Sequence, residues 1–260
     1  MLRRWGILLV MLALTAGAAL TASSASGATI SAKGFTPGGP AHLIGANAHA
    51  LGISDQAYST NWSGYAATTG TYTGASASWT QPAGICSHGD QYAAFWVGLD
   101  GYSSSTVEQT GSEVDCIGKT ARYYAWYEIY PNASVRYSNT VRAGDHFNAS
   151  VTYQGSNVFS LYIADTTQGW SHTTTASLAG AARSSAEVIV EAPSTFSGGV
   201  LPLADFGTID ITSSMASGSA LGNADGVTQI IMVDNQGRQK DSISALSGGE
   251  NFSATWLRSK

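Results

Sequence analysis

The feature that most limits what this chain can fold into is a succession of short segments rich in aromatic and β-branched residues. From about residue 58 onward, NWSGYAAT, TYTGASASW, YAAFWVGL, ARYYAWYEIY, HFNASVTY, VFSLYIAD, AEVIVE, ADFGTIDIT, VTQIIMV and FSATWL follow one another. Clusters of Gly, Ser, Asn, Asp and Pro punctuate them, which is the pattern of strands joined by turns. No stretch carries the 3.6-residue apolar period of an amphipathic helix, and no segment repeats. Many short strands without helices predict an all-β domain, a sandwich or a barrel. The 30 glycines suit its turns and bulges.

Residues 1–28, MLRRWGILLVMLALTAGAALTASSASGA, place two arginines before an apolar run that ends in small residues. That order is a secretory signal peptide, and the run is short for a membrane span. Residues 29–57 read as an N-terminal extension or short propeptide, and 58–260 as a single β-domain. The expected location is extracellular, with no membrane attachment after signal cleavage. Net charge is -5, and charged residues make up only 11% of the chain. No basic stripe is present, which argues against a nucleic-acid partner. Few carboxylates need to be protonated in acid, so low pH is tolerable. A monomer is expected.

Cys86 and Cys116 are the two cysteines. In an oxidising compartment their default is one disulfide, with free thiols or a metal pair as the alternative. Closing such a loop contributes roughly 3 kcal/mol in the chain-entropy model. The histidines 42, 49, 88, 146 and 172 are scattered, with no helical metal-site spacing. No metal and no cofactor is expected.

Period-2 alternation sorts the strand residues into faces. In AAFWVGLDG, Trp96, Gly98 and Asp100 share one face, while Phe95, Val97 and Leu99 take the core side. In RYYAWYEIYP, Tyr124, Trp126, Glu128 and Tyr130 share a face. A glutamate among three aromatics fits the lining of a groove for an extended polymer, peptide or sugar; the plainer alternative is a solvated outer face. In AEVIVE, Glu187, Ile189 and Glu191 point one way, so that face either meets water or lines a site. Gln109 precedes a glycine and reads as a strand end followed by a turn at Thr110–Gly111.

Standard nucleophile signatures are missing. There is no Gly-x-Ser-x-Gly elbow and no His-Glu-x-x-His site. Carboxylates and amides remain, which suggests acid–base chemistry on a bound water. Three classes fit these residues. One is a peptidase. Another is a jelly-roll glycoside hydrolase using Glu128 and Glu191 as its carboxylate pair. The third is a carbohydrate-binding module stacking sugars on Trp96, Trp126 and Tyr130.

Five motifs in order favour the first class. TNWSGY (60–65), FWVGLDG (95–101), EQTG (108–111), YAWYEIYP (124–131) and AEVIVE (186–191) together closely resemble the glutamic peptidases, the eqolisin family. The resemblance spans about residues 58–257. It implies a two-sheet antiparallel, jelly-roll-like (concanavalin-like) β-sandwich with acid endopeptidase activity on a protein or peptide substrate, insensitive to pepstatin. It implies a catalytic dyad of Gln109 and Glu191, with Trp96, Asp100, Trp126 and Glu128 lining or supporting the site. Glu187, roughly 13 Å from Glu191 by strand rise, is expected to be peripheral and solvated. Three positions depart from the fungal pattern: Tyr102 and Tyr124, where acidic residues are usual, and Val188, where an aromatic is usual. They bear on subsite preference and pH optimum.

Overall fold

The computed structural model describes residues 29–30, 35–36, 38–44, 56–87 and 89–260. The expected signal peptide, His49, His88 and most of the 29–57 extension lie outside the described residues. Among the described residues, two large sheets face each other. The first has nine strands in the order Thr29–Ile30, Val135–Arg136, Thr120–Tyr130, Val107–Ile117, Gln91–Leu99, Ala186–Glu191, Trp62–Ala67, Val227–Met232 and Gln56–Ser59. All its pairs are antiparallel except the last, which is parallel. The second sheet runs Trp170–Ser177, Val158–Asp165, His146–Gly155, Gly74–Thr80, Thr208–Ala216, Phe252–Trp256 and Asp241–Ile243, with the short strand Ser219–Ala220 beside 208–216. The architecture is an all-β sandwich, one of the two forms the strand pattern allows and the one the family resemblance implies.

The core lies between the sheets. Phe95, Val97 and Leu99 of the first sheet meet Phe147, Phe159, Leu161 and Ile163 of the second, all buried. Burying each such side chain stabilises the fold by about 1.5–3 kcal/mol. Val188 and Val190 join this core. The departure at Val188 is therefore a packing change inside the sandwich and cannot touch a substrate.

Cys86 and Cys116 form the disulfide. It ties the loop before the 91–99 strand to the end of the 107–117 strand. Two strands give no clear sequence signal. Trp170–Ser177 is an edge strand whose residues alternate between exposed and half-buried, so its polar Thr-rich sequence shows no apolar alternation. Asp241–Ile243 is only three residues long.

The expected turn at Thr110–Gly111 is not there: Val107–Ile117 is one continuous strand. Gly111 sits in mid-strand because Trp96 packs over it, and a Cβ at 111 would collide with the Phe95 carbonyl and the Trp96 side chain. The glycine makes room for a neighbour and does not reverse the chain. Asn61, in the glycosylation pattern Asn-Trp-Ser, is fully buried. Its amide is committed to internal hydrogen bonds, so this sequon is closed in the folded protein.

Candidate active site

Five neighbouring strands of the nine-stranded sheet turn one face away from the core, and this face carries most of the expected site residues. Cross-strand register places Gln109 opposite both Gly98 and Glu128. Gly111 stands opposite Trp96 and Trp126, and Trp96 is also paired with Ile189. Glu191 is paired with Ala94 and Trp62, and Glu113 lies on the other side of Ala94. Small residues thus alternate with large functional ones. A Cβ at Gly98 would come within 2.9 Å of the Trp96 ring and 3.2 Å of Gln109 Cβ. The glycines of FWVGLDG and EQTG clear the space that Trp96 and Gln109 occupy.

Glu191 has two donors. Trp96 Nε1 donates to Oε2 at 2.9 Å, and Asn61 Nδ2 approaches Oε1 at 3.4 Å. The Trp96 ring is fixed in turn by an edge-on contact with Trp62, with centroids 4.8 Å apart. Burial lifts the Glu191 pKa well above the usual carboxylate range. The Trp96 hydrogen bond pulls it back, the Glu128 charge pushes it further up, Asn61 opposes that, and Glu113 adds to it.

Gln109 is held by Glu128. Its Nε2 donates to Glu128 Oε2 at 3.0 Å and also to the backbone carbonyl of Gly38. Burial raises Glu128 to about 8, against the pull of the Gln109 bond, so Glu128 is a neutral acid in an acidic medium. Gln109 Oε1, Glu128 Oε1 and Trp126 Nε1 are buried with no hydrogen-bond partner among the described residues. Buried polar atoms normally find partners. These three atoms lie on the same face.

Gln109 and Glu191 stand two strands apart with Trp96 on the strand between them. No hydrogen bond joins them directly. The backbone of residues 38–40 reaches both: Gly38 O accepts from Gln109, and Pro40 O accepts at 3.0 Å from the Asn61 amide that contacts Glu191.

The remaining expected site residues fall in different places. Trp126 and Glu128 line the same face and are fully buried. Asp100 faces another way. Its carboxylate accepts from the backbone of Arg183 and Ser184 at 2.7 and 2.9 Å and from the Ser184 hydroxyl at 3.0 Å. It adopts φ +70° and anchors the loop that leads into the 186–191 strand. It positions Glu191's strand and makes no hydrogen bond to Trp96 or Gln109.

Glu187 overturns an expectation. It is fully buried, not solvated. Burial raises its pKa well above normal, and the charges of Asp100 and Glu108 push it higher against the Ser185 hydroxyl. Period-2 reasoning set its direction, but it could not show that neighbouring segments cover that end of the sheet.

Residues that sequence reasoning left without a role also belong here. Asn61 and Trp62 lie in the NWSGY motif, and both reach the site. Glu113 is fully buried, and burial followed by the Asp115 charge holds its pKa well above normal. Tyr124, one of the departures, is buried with its hydroxyl 3.3 Å from both Asp115 carboxylate oxygens, and Arg136 stacks 3.4 Å over its ring. The segment Gly38–Pro40 carries no chemical side chains, so nothing in its sequence could announce a place in the site.

A sandwich in which the sheet face turned away from the core carries a tryptophan-bonded glutamate and a glutamate-bonded glutamine defines the class. The Peptidase A4 family matches residues 60–256, and the chain belongs to that family. Among solved structures it is similar to scytalido-glutamic peptidase with a transition-state analog inhibitor, at 21% identity and TM-score 0.66, over 76% of this chain and 98% of that one. It is also similar to SCP-B, a member of the eqolisin family in complex with the tripeptide Ala-Ile-His, at 22% identity and TM-score 0.61, over 76% and 98%. A third is aspergilloglutamic peptidase from Aspergillus niger, at 27% identity and TM-score 0.56, over 64% and 99%. A comparison with curated proteins gives no match.

Proposed function

We propose that this chain is a secreted, pepstatin-insensitive acid endopeptidase in which Glu191 is the general base and acid and Gln109 the oxyanion donor. The observation that carries this reading is the pairing of a glutamate bonded by an indole N–H with a glutamine amide anchored by a second, neutral glutamate on one sheet face. Membership of the Peptidase A4 family supports it.

The chemistry follows from the donors present. Ionised Glu191, favoured by the hydrogen bonds from Trp96 and Asn61, takes a proton from a water. The water oxygen attacks the scissile carbonyl carbon. Charge builds on the carbonyl oxygen, and Gln109 Nε2 donates to it as a preorganised donor. When the carbon–nitrogen bond breaks, Glu191 returns its proton to the departing nitrogen. Glu128 is a positioning residue. Its acceptor oxygen points the Gln109 N–H, and its neutrality in acid avoids a second charge beside Glu191. While residues 38–40 lie over the face, burial holds Glu191 well above the usual carboxylate range; once that cover moves and the face is wet, a glutamate titrates near about 4.3, which sets the working range in acid.

The test is hydrolysis of an acid-unfolded protein between about pH 2 and 7, with pepstatin present. It uses the wild-type chain and an Ala41→Pro, Ile44→Pro variant, which loses the hydrogen bonds to Gly101 O and Tyr58 O that hold residues 38–44 over the face. Glu191→Gln should abolish turnover, and Gln109→Ala should lower kcat about 10²–10³-fold. Turnover surviving Glu191→Gln would overturn the mechanism. Polysaccharide binding without peptide hydrolysis would move the function to the aromatic groove as a binding surface.

A further inference from the structure

Lys240 is a cation that the fold does not neutralise. It is 4% exposed, and taking an ammonium out of water costs free energy unless it is paired and hydrogen-bonded. An ammonium offers three donors. Lys240 Nζ makes one long hydrogen bond, to Thr60 O at 3.4 Å. The described residues hold two ion pairs, Arg136 with Asp115 and Arg238 with Asp234, and Lys240 is in neither. The acids whose charges reach it are committed elsewhere. Asp234 accepts from Arg238 Nε at 2.6 Å and from the backbone N–H groups of Gln236 and Arg238 at 2.8 and 2.9 Å. Asp241 accepts from the Ser63 hydroxyl. Burial pulls the Lys240 pKa down to about 8, against the charges of Asp241 and Asp234, so the side chain is charged in acid.

Lys240 lines a cavity of about 380 Å³, within the size range of small-molecule sites. The wall is apolar at Val200, Leu201 and Val233 and polar at Thr60 and Ser259. Lys260 adds a second positive charge, while Asp234 and Arg238 line the cavity as a pair that cancels itself. A second cavity, of about 490 Å³, shares Ser259 and Lys260 with the first. Arg258 lines it, and its Nε is buried with no hydrogen-bond partner among the described residues. Asp90 lines it too, with Oδ1 accepting from Gly118 N at 2.8 Å. Two under-partnered cations, Lys240 and Arg258, thus flank one shared wall. Neither Gln109 nor Glu191 lines either cavity.

We propose that these adjoining cavities are a binding site for a carboxylate that carries an apolar group, with Lys240 as its counter-charge. The carboxylate accepts from the donors that Lys240 leaves unused. An apolar group of leucine size covers Val200, Leu201 and Val233. A neutral ligand would leave the ammonium buried and unpaired, so charge decides what binds. Two kinds of molecule share this chemistry: the C-terminal end of a peptide with an apolar last residue, and a free branched organic acid. The site stands apart from the proposed dyad and does not depend on hydrolysis.

Calorimetry on the full chain tests this with N-acetyl-leucine, N-acetyl-leucinamide and isocaproate. The measurement is made at about pH 5.5, where free carboxylates are ionised and Lys240 is charged. N-acetyl-leucine should bind, and its amide at least about tenfold more weakly, through loss of a charge-assisted hydrogen bond. Lys240→Met keeps the apolar stem and removes the charge. It should weaken N-acetyl-leucine at least about tenfold and leave the melting temperature without ligand unchanged or higher, since a buried unpaired charge is gone. Saturating N-acetyl-leucine should raise the melting temperature of the wild type and not of the variant. If Lys240→Met does not fold, the comparison of acid with amide on the wild type decides, and Lys260→Gln, at an exposed position, should weaken the acid about twofold. Isocaproate binding as tightly as N-acetyl-leucine would assign the site to free organic acids, and weaker binding would assign it to peptide ends; both results keep the carboxylate site. Equal binding of acid and amide, no binding of either acid, or undiminished affinity in folded Lys240→Met would overturn the proposal.

Discussion

The two sheets use the same strand geometry to different ends. In the eight-stranded sheet, one face packs in the core and the other meets water. Ala75, Ala77 and Trp79 are buried, while Ser76 and Ser78 between them are partly exposed and Thr80 is exposed. The 208–216 strand begins the same way, with Ile209 and Ile211 inside and Thr208 and Asp210 outside. In the nine-stranded sheet, the 107–117 and 186–191 strands are buried on both faces. The face away from the core carries Gln109, Glu113, Glu128, Glu187 and Glu191 instead of small hydroxyl residues. A fold gains nothing in stability from burying unpaired carboxylates, which cost free energy unless neutral or hydrogen-bonded. The difference teaches that one sheet pairs a core face with a wet one, while the other buries carboxylates at some expense to stability, as the proposed catalytic face requires.

Three measurements can break or sharpen this contrast. The largest expected effect lies in the shared core. Phe159→Ala, at a fully buried position, should cost about 3–5 kcal/mol in urea unfolding. A loss under about 1 kcal/mol would mean that the second sheet is not a main source of stability.

Next is the pH dependence of stability. Glu108 and Glu128 are raised to about 8 and Asp241 to about 7, and Glu113, Glu187 and Glu191 are well above normal, each through burial first. A carboxyl raised in the folded state stabilises the fold fully below its unfolded value, near about 4. That share is lost as pH climbs through the folded values. Lys240, lowered to about 8 by burial, works the other way, since its share is lost as pH falls through 8, but it is outnumbered. The melting temperature should therefore be highest near about pH 4 and drop toward pH 8. Glu187→Gln should flatten that slope by up to about 1.4 kcal/mol per pH unit and leave the acid value unchanged. A melting temperature that rises toward neutrality would contradict the burial of these acids.

The smallest effect belongs to the outer face of the eight-stranded sheet. Thr175→Ala, exposed on the 170–177 edge strand, should change unfolding free energy by no more than about 0.5 kcal/mol. A larger change would indicate that this face is covered by something in solution.

Much of this was legible in the chain. The strand segments, the separation of Phe95, Val97 and Leu99 from Trp96, and the disulfide follow from alternation and compartment. So does the common direction of Tyr124, Trp126 and Glu128. The misreadings share a cause. Gly111 looks like a turn because a lone glycine after a strand run is usually punctuation, and only the close approach of the Phe95 carbonyl and Trp96 Cβ on the next strand explains it. Glu187 looks solvated because nothing local reveals what covers it. Asp100 sits in the motif yet turns to the 183–184 backbone, a partner more than 80 residues away in sequence.

Alternation along each strand is a local property fixed by backbone geometry. For that reason the sequence alone determined that the chain is all-β, which strand residues face the core, and that Trp126 shares a face with Glu128 and Glu187 with Glu191. What lies on top of that face depends on contacts between segments far apart in the chain. Only the tertiary structure decided that Glu128 holds Gln109, that Trp96 and Asn61 hold Glu191, and that a stretch of glycine and proline backbone lies across both. Backbone hydrogen-bonding groups are the same in every residue but proline, so a contact made through them leaves almost no mark in the sequence.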